Sequence, residues 1–240
     1  MTEKYICKIN NNLNFEIKLQ DGVFHPTGTS DEIIKAVSAN ILSPGKVLDL
    51  GCGSGVVGFA LHIQGKAEGN LYASDLSNDA SLLIEANAKD LGIPVISRQG
   101  SIFDPWENES FDYIIDDISG IAEKVAEISP WFNKTSCRSG EDGTDLVIKA
   151  ITKAPEHLNT GGKLFFPVLS LSNSEKIMET ANKIFSKVTK VGHKDWRLPD
   201  EMKVYIEVLT DLRSKGLIHF EEKYGWLLWS TDVYMAEMPK

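Results

Sequence analysis

The sequence predicts an α/β protein with a mostly parallel sheet of about seven strands, preceded by a β-hairpin. Between residues 46 and 185, short buried strands alternate with amphipathic helices, which is typical of βαβ units. The C-terminal segment breaks this alternation and predicts two strands joined at 223–225. We therefore expect a closing antiparallel strand on an otherwise parallel sheet.

The N-terminal residues predict the hairpin. Apolar and polar residues alternate across residues 5–19, apart from a central asparagine run that is typical of a turn. After a polar loop, Thr29 or Ser30 is predicted to cap the first helix. We expect residues 1–25 to form a hairpin extension and residues 26–240 to form the main domain.

The remaining elements follow in order from residue 46. The predicted strands are 46–50, 71–75, 94–99, 111–117 and 163–169, and the predicted helices are 55–64, 78–91, 142–158, 172–185 and 200–216. In the helical segments, apolar residues recur three and four positions apart, which places them on one face. No linker separates two folding units.

Composition limits the classes of partner. Of 240 residues, 42% are hydrophobic and 25% are charged, and the net charge is −9. An acidic chain repels phosphate backbones, so nucleic acid is an unlikely partner. The three cysteines lack metal-ligand spacing, so we expect neither a disulfide framework nor a metal site. Without an apolar run of membrane-spanning length, we expect a cytoplasmic protein; the oligomeric state stays open.

A glycine-rich loop joins the strand 46–50 to the helix that follows it. Gly51, Gly53 and Gly55 lack a Cβ, so a ligand can approach the backbone closely. Asp75 ends the next strand, where a carboxylate can accept both hydroxyls of a ribose. Because ligands of such sheets bind at the carboxyl ends of the strands, we expect a nucleoside-containing cofactor here.

Two residues beside these glycines distinguish between cofactors. The dinucleotide fingerprint requires G-x-G-x-x-G, whereas Val56 occupies the last glycine position here. Asp49 would repel a pyrophosphate but would suit the ammonium and sulfonium groups of S-adenosylmethionine. The sequence therefore favours S-adenosylmethionine over a nicotinamide cofactor.

VLDLGCGSG resembles the first motif of class I S-adenosylmethionine-dependent methyltransferases, and GSIFD at 100–104 resembles their third motif. The resemblance implies a Rossmann-like seven-stranded sheet and S-adenosylmethionine as cofactor, with Ile102 and Phe103 against the adenine and Asp104 near its amino group. The cofactor-binding residues that it implies are Asp49, Gly51, Cys52, Gly53, Gly55, Asp75, Leu76, Ser101, Ile102, Phe103, Asp104 and Asp116.

Two longer segments resemble the small-domain methyltransferases, among them the release-factor glutamine methyltransferases. Residues 13–34 resemble their hairpin and the loop after it, and residues 139–166 resemble their G-x-D-G-L-D helix and the next strand. The large helical N-terminal domain of the glutamine methyltransferases, which helps to choose the protein substrate, has no counterpart in this sequence. The resemblance therefore gives less support to a protein as the methyl acceptor.

The fourth motif departs from that group. Its pattern F-D-L-I-V-S-N-P-P-Y aligns with residues 111–120, so its asparagine falls on Asp117, its prolines on Ile118 and Ser119, and its aromatic on Gly120. In the family, the asparagine and the adjacent backbone accept hydrogen bonds from a planar amide or amine on which the aromatic stacks. The resemblance thus implies a different acceptor for this chain.

Asp117 is the predicted catalytic residue, because a carboxylate at a strand end can bind an amine or hydroxyl and take its proton. Asp116 is the alternative, since neighbouring residues of a regular strand face opposite sides; a solvated loop end is the non-catalytic alternative. The predicted substrate-binding residues are Phe24, His25, Trp131 and Phe132.

The favoured function is methyl transfer to a nitrogen or oxygen of a small molecule or a protein side chain. One alternative is a non-catalytic cofactor-binding or partner subunit with a degenerate fourth motif. Another is an RNA or DNA N-methyltransferase.

Overall fold

The computed structural model describes residues 3–118, 120–132, 135 and 137–240. The strands are β1 (Lys4–Asn10), β2 (Leu13–Lys18), β3 (Val47–Leu50), β4 (Leu71–Asp75), β5 (Val95–Gln99), β6 (Phe111–Asp116), β7 (Leu158–Leu169), β8 (Phe185–Arg197), β9 (Glu221–Lys223) and β10 (Trp226–Pro239). The α-helices are α1 (Gly28–Asn40), α2 (Val56–Ile63), α3 (Asn78–Leu91), α4 (Glu123–Ile128), α5 (Asp145–Lys153), α6 (Ser174–Ile184) and α7 (Ile206–Ser214).

The main sheet has the strand order β5-β4-β3-β6-β7-β10-β8, and β9 pairs with β10. The pairs from β5 to β7 are parallel, whereas β10 runs antiparallel to β7 and β8. Strands β1 and β2 form a separate antiparallel hairpin. The predicted mostly parallel sheet with an N-terminal hairpin is thus confirmed. The strand order reverses between β3 and β6, and such a switch point is where open α/β sheets bind ligands.

Strand β8 is the main element that the sequence prediction missed. Its residues are largely exposed, with a fully buried side chain at Phe185 and few apolar residues after it. Such an edge strand lacks the apolar alternation by which strands are recognised. It pairs along β10, with a register shift between Val233 and Tyr234, and this pairing carries its last residues to the ligand-binding edge of the sheet.

Two predicted helices are shorter than expected. The segment 142–158 forms α5 and then a 3₁₀ turn at 154–157, because Pro155 lacks an N–H and its ring would clash in a continuing helix. The segment 200–216 begins with a 3₁₀ turn at 200–205 before α7.

Helix α1 begins earlier than predicted, and its cap is Thr27 rather than Thr29 or Ser30. The Thr29 N–H donates to Thr27 Oγ1 at 3.3 Å, and the Thr27 N–H donates to Ser30 Oγ at 3.4 Å. This reciprocal pair satisfies N–H groups that a helix leaves free at its start. The correction matters because α1 therefore starts at the cavity described below.

The buried side chain of Asn87, on α3, connects the hairpin to the loop after β3. Its Oδ1 accepts from the Lys18 N–H at 2.9 Å, and its Nδ2 donates to the carbonyls of Lys18 and Ser54 at 3.1 and 3.2 Å. Apolar residues of the hairpin also share one core cluster with α1 and α2. In the described part of the chain, no helix has both the length and the apolar character to cross a membrane.

Candidate functional site

A cavity of about 630 Å³ lies at the carboxyl ends of β3, β4, β5 and β6. Its wall includes many residues that the sequence predicts as functional: Phe24, Gly51, Cys52, Gly53, Asp75, Leu76, Ser101, Ile102, Asp117, Trp131 and Phe132. The predicted residues that do not line it are His25, Asp49, Gly55, Phe103, Asp104 and Asp116. The structure thus brings the β-strand ends, the loop before α1 and the segment after α4 to one place.

The glycine loop forms one wall of the cavity. Gly51 and Gly53 have φ values of +77° and +50°, a backbone region that favours glycine. A Cβ on Gly51 would lie 2.8 Å from Cγ1 of Ile118, so only glycine fits between β3 and the residues after β6. The Gly51 and Cys52 N–H groups both donate to the Ser74 carbonyl, at 2.8 and 3.0 Å, which fixes the loop against β4.

Asp75 ends β4 and is held in place by backbone donors. Its Oδ2 accepts from the Gly53 N–H at 3.0 Å, and its Oδ1 accepts from the Ser77 N–H at 2.8 Å. Burial raises the pKa of this carboxyl above its ordinary value despite these hydrogen bonds. Each carboxylate oxygen keeps a second lone pair, so Asp75 can still accept two ligand hydroxyls.

Asp49 lies behind the loop rather than on the cavity wall. It is buried, and its Oδ2 accepts from the Gly58 N–H in the first turn of α2 at 2.9 Å. Its Oδ1 has no hydrogen-bond partner among the described residues. Burial raises the pKa of Asp49 to about 7, and its position suits a role in ordering the loop and α2.

The segment after β5 contributes a strained residue to the wall. Ile102 has φ +52°, which is costly for a β-branched side chain and is commonly found at functional sites. Phe103 instead stacks on His157 in the core, with ring centroids 4.4 Å apart. Asp104 points to the surface, where Lys153 Nζ lies 3.4 Å from its Oδ1. Ser101 and Ile102 are therefore the part of this motif that reaches the cavity.

Asp116 and Asp117 lie on different sides of the end of β6. Asp116 is buried, and its Oδ1 accepts from the Ile118 N–H at 3.0 Å, while its Oδ2 has no partner among the described residues. Asp117 lines the cavity, and its N–H donates to the Leu50 carbonyl at 2.9 Å. Burial raises the pKa of Asp117 well above its ordinary value, with smaller contributions from Asp49, Asp116 and Asp75. When ionised, Asp117 is thus a stronger base than an exposed aspartate.

Asp116→Asn is expected to stabilise the protein at pH 8 by about 1–3 kcal/mol, because it removes a buried charge and keeps an oxygen for the Ile118 N–H. Burial raises the pKa of Asp116 from 3.8 to about 7, so the folded state binds the proton more tightly than the unfolded state. The wild-type free energy of unfolding therefore falls as the pH rises from about 4 to about 7.

Urea unfolding at pH 4 and pH 8 checks this prediction. The gain from Asp116→Asn should be present at pH 8 and nearly absent at pH 4, whereas Asp211→Asn on the exposed face of α7 should change neither value much. A destabilising effect of Asp116→Asn at pH 8 would contradict the burial argument.

The segment that aligns with the fourth motif of the small-domain methyltransferases is tightly packed at its end. Gly120 is buried, and a Cβ there would lie 3.0 Å from Cγ2 of Val147. An aromatic side chain at this position would therefore require repacking. Ser119, which aligns with the second proline, lies outside the described residues. Ile118 lines the cavity beside Asp117.

Aromatic side chains also line the cavity. The rings of Phe24 and Phe132 are 5.0 Å apart, and those of Trp131 and Trp229 are 5.2 Å apart. Trp196, from the end of β8, also lines the cavity, 6.2 Å from the Trp229 ring.

Sequence reasoning left several wall residues out of the predicted site: Arg138, Trp196, Arg197 and Trp229. The prediction placed no strand at β8, so nothing in the pattern pointed Trp196 and Arg197 toward the glycine loop. In the described ranges, no cluster of three or more potential metal ligands occurs.

Comparison with known proteins agrees with the resemblance to methyltransferases seen in the sequence. Residues 14–117 match the family model described as methyltransferase small domain. The release factor glutamine methyltransferase of Geobacter sulfurreducens is 26% identical over 183 residues, which is 73% of this chain and 63% of that relative. The chain thus spans less than two thirds of the length of this relative.

Two solved structures show the same fold. A T. thermophilus 16S rRNA methyltransferase in complex with AdoMet and guanosine superposes with a TM-score of 0.61 at 13% identity, covering 98% of this chain and 50% of its own. The ribosomal protein L11 methylase of Lactobacillus delbrueckii subsp. bulgaricus gives a TM-score of 0.52 at 18% identity, with 87% and 81% covered.

The matched segment runs from the hairpin to the residue after β6, so it carries the glycine loop, Asp75 and Asp117 together. By this match, residues 14–117 are similar to the methyltransferase small domain family, and by its sheet topology the chain has the class I methyltransferase fold.

Proposed function

We propose that this protein transfers a methyl group from S-adenosylmethionine to a nitrogen or oxygen of an acceptor. The observation that carries the proposal is that one cavity joins the glycine loop and Asp75 to Asp117. A cofactor held at the glycine loop and Asp75 would therefore meet an acceptor held at Asp117 within a single cavity. Holding reactants in this way accounts for most of the acceleration in a simple displacement.

The cofactor side fits S-adenosylmethionine in shape and charge. Gly51 lines the cavity and, without a Cβ, leaves its backbone open to a ligand. The carboxylate of Asp75, held by two backbone N–H groups, is placed to accept ribose hydroxyls. Four carboxyl groups lie at or behind this wall: Asp49, Asp75, Asp116 and Asp117. They suit a ligand with an ammonium and a sulfonium, and they would oppose a pyrophosphate.

When bound, the cofactor supplies an electrophilic methyl group; the chain supplies position and proton transfer. Asp117 would orient the acceptor by a hydrogen bond of about 3 Å and take its proton as the new bond forms. Apolar wall residues beside it, such as Ile118 and Ile121, would keep water from competing for the methyl group.

The acceptor is a small molecule or a protein side chain. The Geobacter sulfurreducens relative is named a release factor glutamine methyltransferase, which favours an amide nitrogen. In contrast, Asp117 and Gly120 replace the asparagine and the aromatic with which that group binds a planar amide. In the part of the chain that the structure describes, two cationic residues line the cavity, Arg138 and Arg197. Two are too few for a nucleic-acid track, which supports a compact acceptor over RNA or DNA.

Asp75→Ala is expected to weaken S-adenosylhomocysteine binding by about 10- to 100-fold, since it removes charge-assisted hydrogen bonds to the ribose. Isothermal titration calorimetry measures this loss directly. Asp211→Ala, which removes an exposed aspartate on α7 paired with Lys215 at 2.7 Å, is the matched control and should bind like wild type.

Absence of binding by the wild-type protein, or equal binding by Asp75→Ala, would overturn the cofactor assignment. A methyl-release assay over pools of amines, phenols, peptides and RNA then separates an enzyme from a non-catalytic cofactor-binding subunit. Cofactor binding without transfer to any pool would favour the subunit.

A further inference from the structure

The acceptor side of the cavity is built largely from residues that follow the segment matched by the family model. Residues 14–117 supply the glycine loop and Asp117, whereas four other lining residues, Trp131, Phe132, Trp196 and Trp229, follow that segment. These aromatic residues thus belong to a part of the chain that the match does not cover. What these residues select can be read from their shape and charge.

The aromatic wall is held in place rather than loosely exposed. Trp196 Nε1 donates to Thr231 Oγ1 at 3.1 Å, and Thr231 Oγ1 is also 3.1 Å from Thr29 Oγ1. A Cβ on Gly28 would lie 2.5 Å from Cη2 of Trp196, so the indole lies directly on the start of α1. A fixed wall of aromatic rings favours a flat, largely apolar ligand that stacks or packs edge-on.

The cavity wall carries charges of both signs. Among the described residues, the acidic ones that line the cavity are Asp75 and Asp117, and the basic ones are Arg138 and Arg197. Among the described residues, neither arginine has a carboxylate within 4.0 Å, whereas Arg98, away from the cavity, pairs with Glu109. The Arg197 guanidinium instead covers the Trp226 ring, 2.9 Å from its centroid. Arg138 and Arg197 thus form no ion pair among the described residues, although the charge of Arg197 also helps to lower the pKa of Asp200. In a chain of net charge −9, two such arginines on one cavity wall favour an anionic ligand.

Two polar atoms of this wall are also buried without a partner among the described residues, namely Nε1 of Trp229 and Oγ1 of Thr135. Buried polar groups are almost always hydrogen-bonded in a completed structure. These atoms indicate that the acceptor side is completed by something polar as well as flat.

We propose that the acceptor is a small planar organic anion, a ring that carries a carboxylate or phosphate at one end and a hydroxyl or amine nucleophile at the other. The ring packs on Trp196 and Trp229, the anionic group pairs with Arg138 or Arg197, and the nucleophile lies at Asp117. The nucleophile forms a bond to the methyl carbon, the carbon–sulfur bond breaks with its electron pair left on sulfur, and the proton passes to Asp117. This inference rests on the proposed methyl-transfer function.

Binding of defined probes tests the proposal, measured by tryptophan fluorescence with S-adenosylhomocysteine present. The probes are 4-hydroxybenzoate and 4-hydroxyphenyl phosphate, with neutral 4-hydroxybenzamide, cationic tyramine and non-planar cyclohexanecarboxylate as comparisons. We expect at least one of the two aromatic anions to bind at least tenfold more tightly than the three comparisons. The better of the two identifies carboxylate or phosphate as the recognised group.

Substitutions test whether the cavity arginines and Trp196 cause the preference for an aromatic anion. Arg138→Gln combined with Arg197→Gln should remove the advantage of the anion over the amide, and Trp196→Leu should reduce the affinity of both about tenfold or more. Arg213→Gln is the control, because Arg213 covers Phe220 and does not line the cavity. Circular dichroism melting of each variant confirms that it folds.

The proposal is overturned if no aromatic anion binds, if the amide or tyramine binds as tightly as the acid, or if the double arginine variant keeps the preference. If S-adenosylhomocysteine binds and a glutamine-containing peptide is methylated while the aromatic acids are not bound, the methyl-transfer function stands and the acceptor class is wrong. If S-adenosylhomocysteine does not bind at all, the underlying function is wrong.

Discussion

Asp117→Asn should lower the rate of methyl transfer by about 10²- to 10⁴-fold, the usual contribution of a positioned general base. Asparagine keeps the size of the side chain and can still hydrogen-bond the acceptor, but it cannot take the proton. Affinity for S-adenosylhomocysteine should stay close to that of wild type, because the wall formed by Gly51, Gly53 and Asp75 is untouched. Single-turnover kinetics with an acceptor found by methyl release, together with calorimetry, separate the two effects.

The pH profile gives a second readout of the same residue. Burial and the neighbouring carboxyls hold the pKa of Asp117 well above its ordinary value. The base form is therefore lost as the pH falls through this raised pKa, and the wild-type rate should rise with pH across that range. Asp117→Asn should remove this rising limb.

Asp116→Asn tests which of the two aspartates at the end of β6 acts as the base. If it removes the rising limb while Asp117→Asn keeps both the limb and the rate, then the roles assigned to the two residues are wrong. Because Asp116 is buried and does not line the cavity, we expect it to change stability more than rate.

Gly55→Ala should destabilise the protein by about 2–5 kcal/mol, the sum of a left-handed backbone cost and an overpacking cost. Gly55 precedes α2 with φ +85°. A Cβ there would lie 2.6 Å from Cε2 of Phe59 and 2.7 Å from Cγ1 of Ile84. Both neighbours are fully buried, so neither can move aside without disturbing the core under the glycine loop. Chemical denaturation measures the loss, and we expect weaker cofactor binding with it.

Gly65→Ala is the matched control for backbone conformation. Gly65 has φ +68°, but nothing lies within 4 Å of a Cβ placed on it. Gly65→Ala should therefore lower the free energy of unfolding only by the cost of a left-handed backbone, about 1 kcal/mol. Equal losses at Gly55 and Gly65 would show that the contacts with Phe59 and Ile84 contribute nothing, and that the packing argument for the loop is wrong.

The cofactor side of the cavity could be predicted from the sequence, because each of its parts directly follows one of the successive parallel strands. A glycine loop directly after one strand and an aspartate at the end of the next must meet, since parallel strands end at the same edge of a sheet. Gly51, Gly53, Asp75 and Ile102 accordingly line one cavity. The motif at 100–104 was less informative, because its residues divide between the cavity, the core and the surface.

The acceptor side was decided by tertiary structure. Trp196 and Arg197 reach the cavity only through the pairing of β8 with β10, and β8 gave no strand signal because its side chains are largely exposed. Periodicity records which residues are buried, but it carries no information on which distant segments meet. The sequence by itself therefore determined the fold class and the cofactor loop, whereas long-range strand pairing brought Trp196, Arg197 and Trp229 to the cavity that Asp117 also lines.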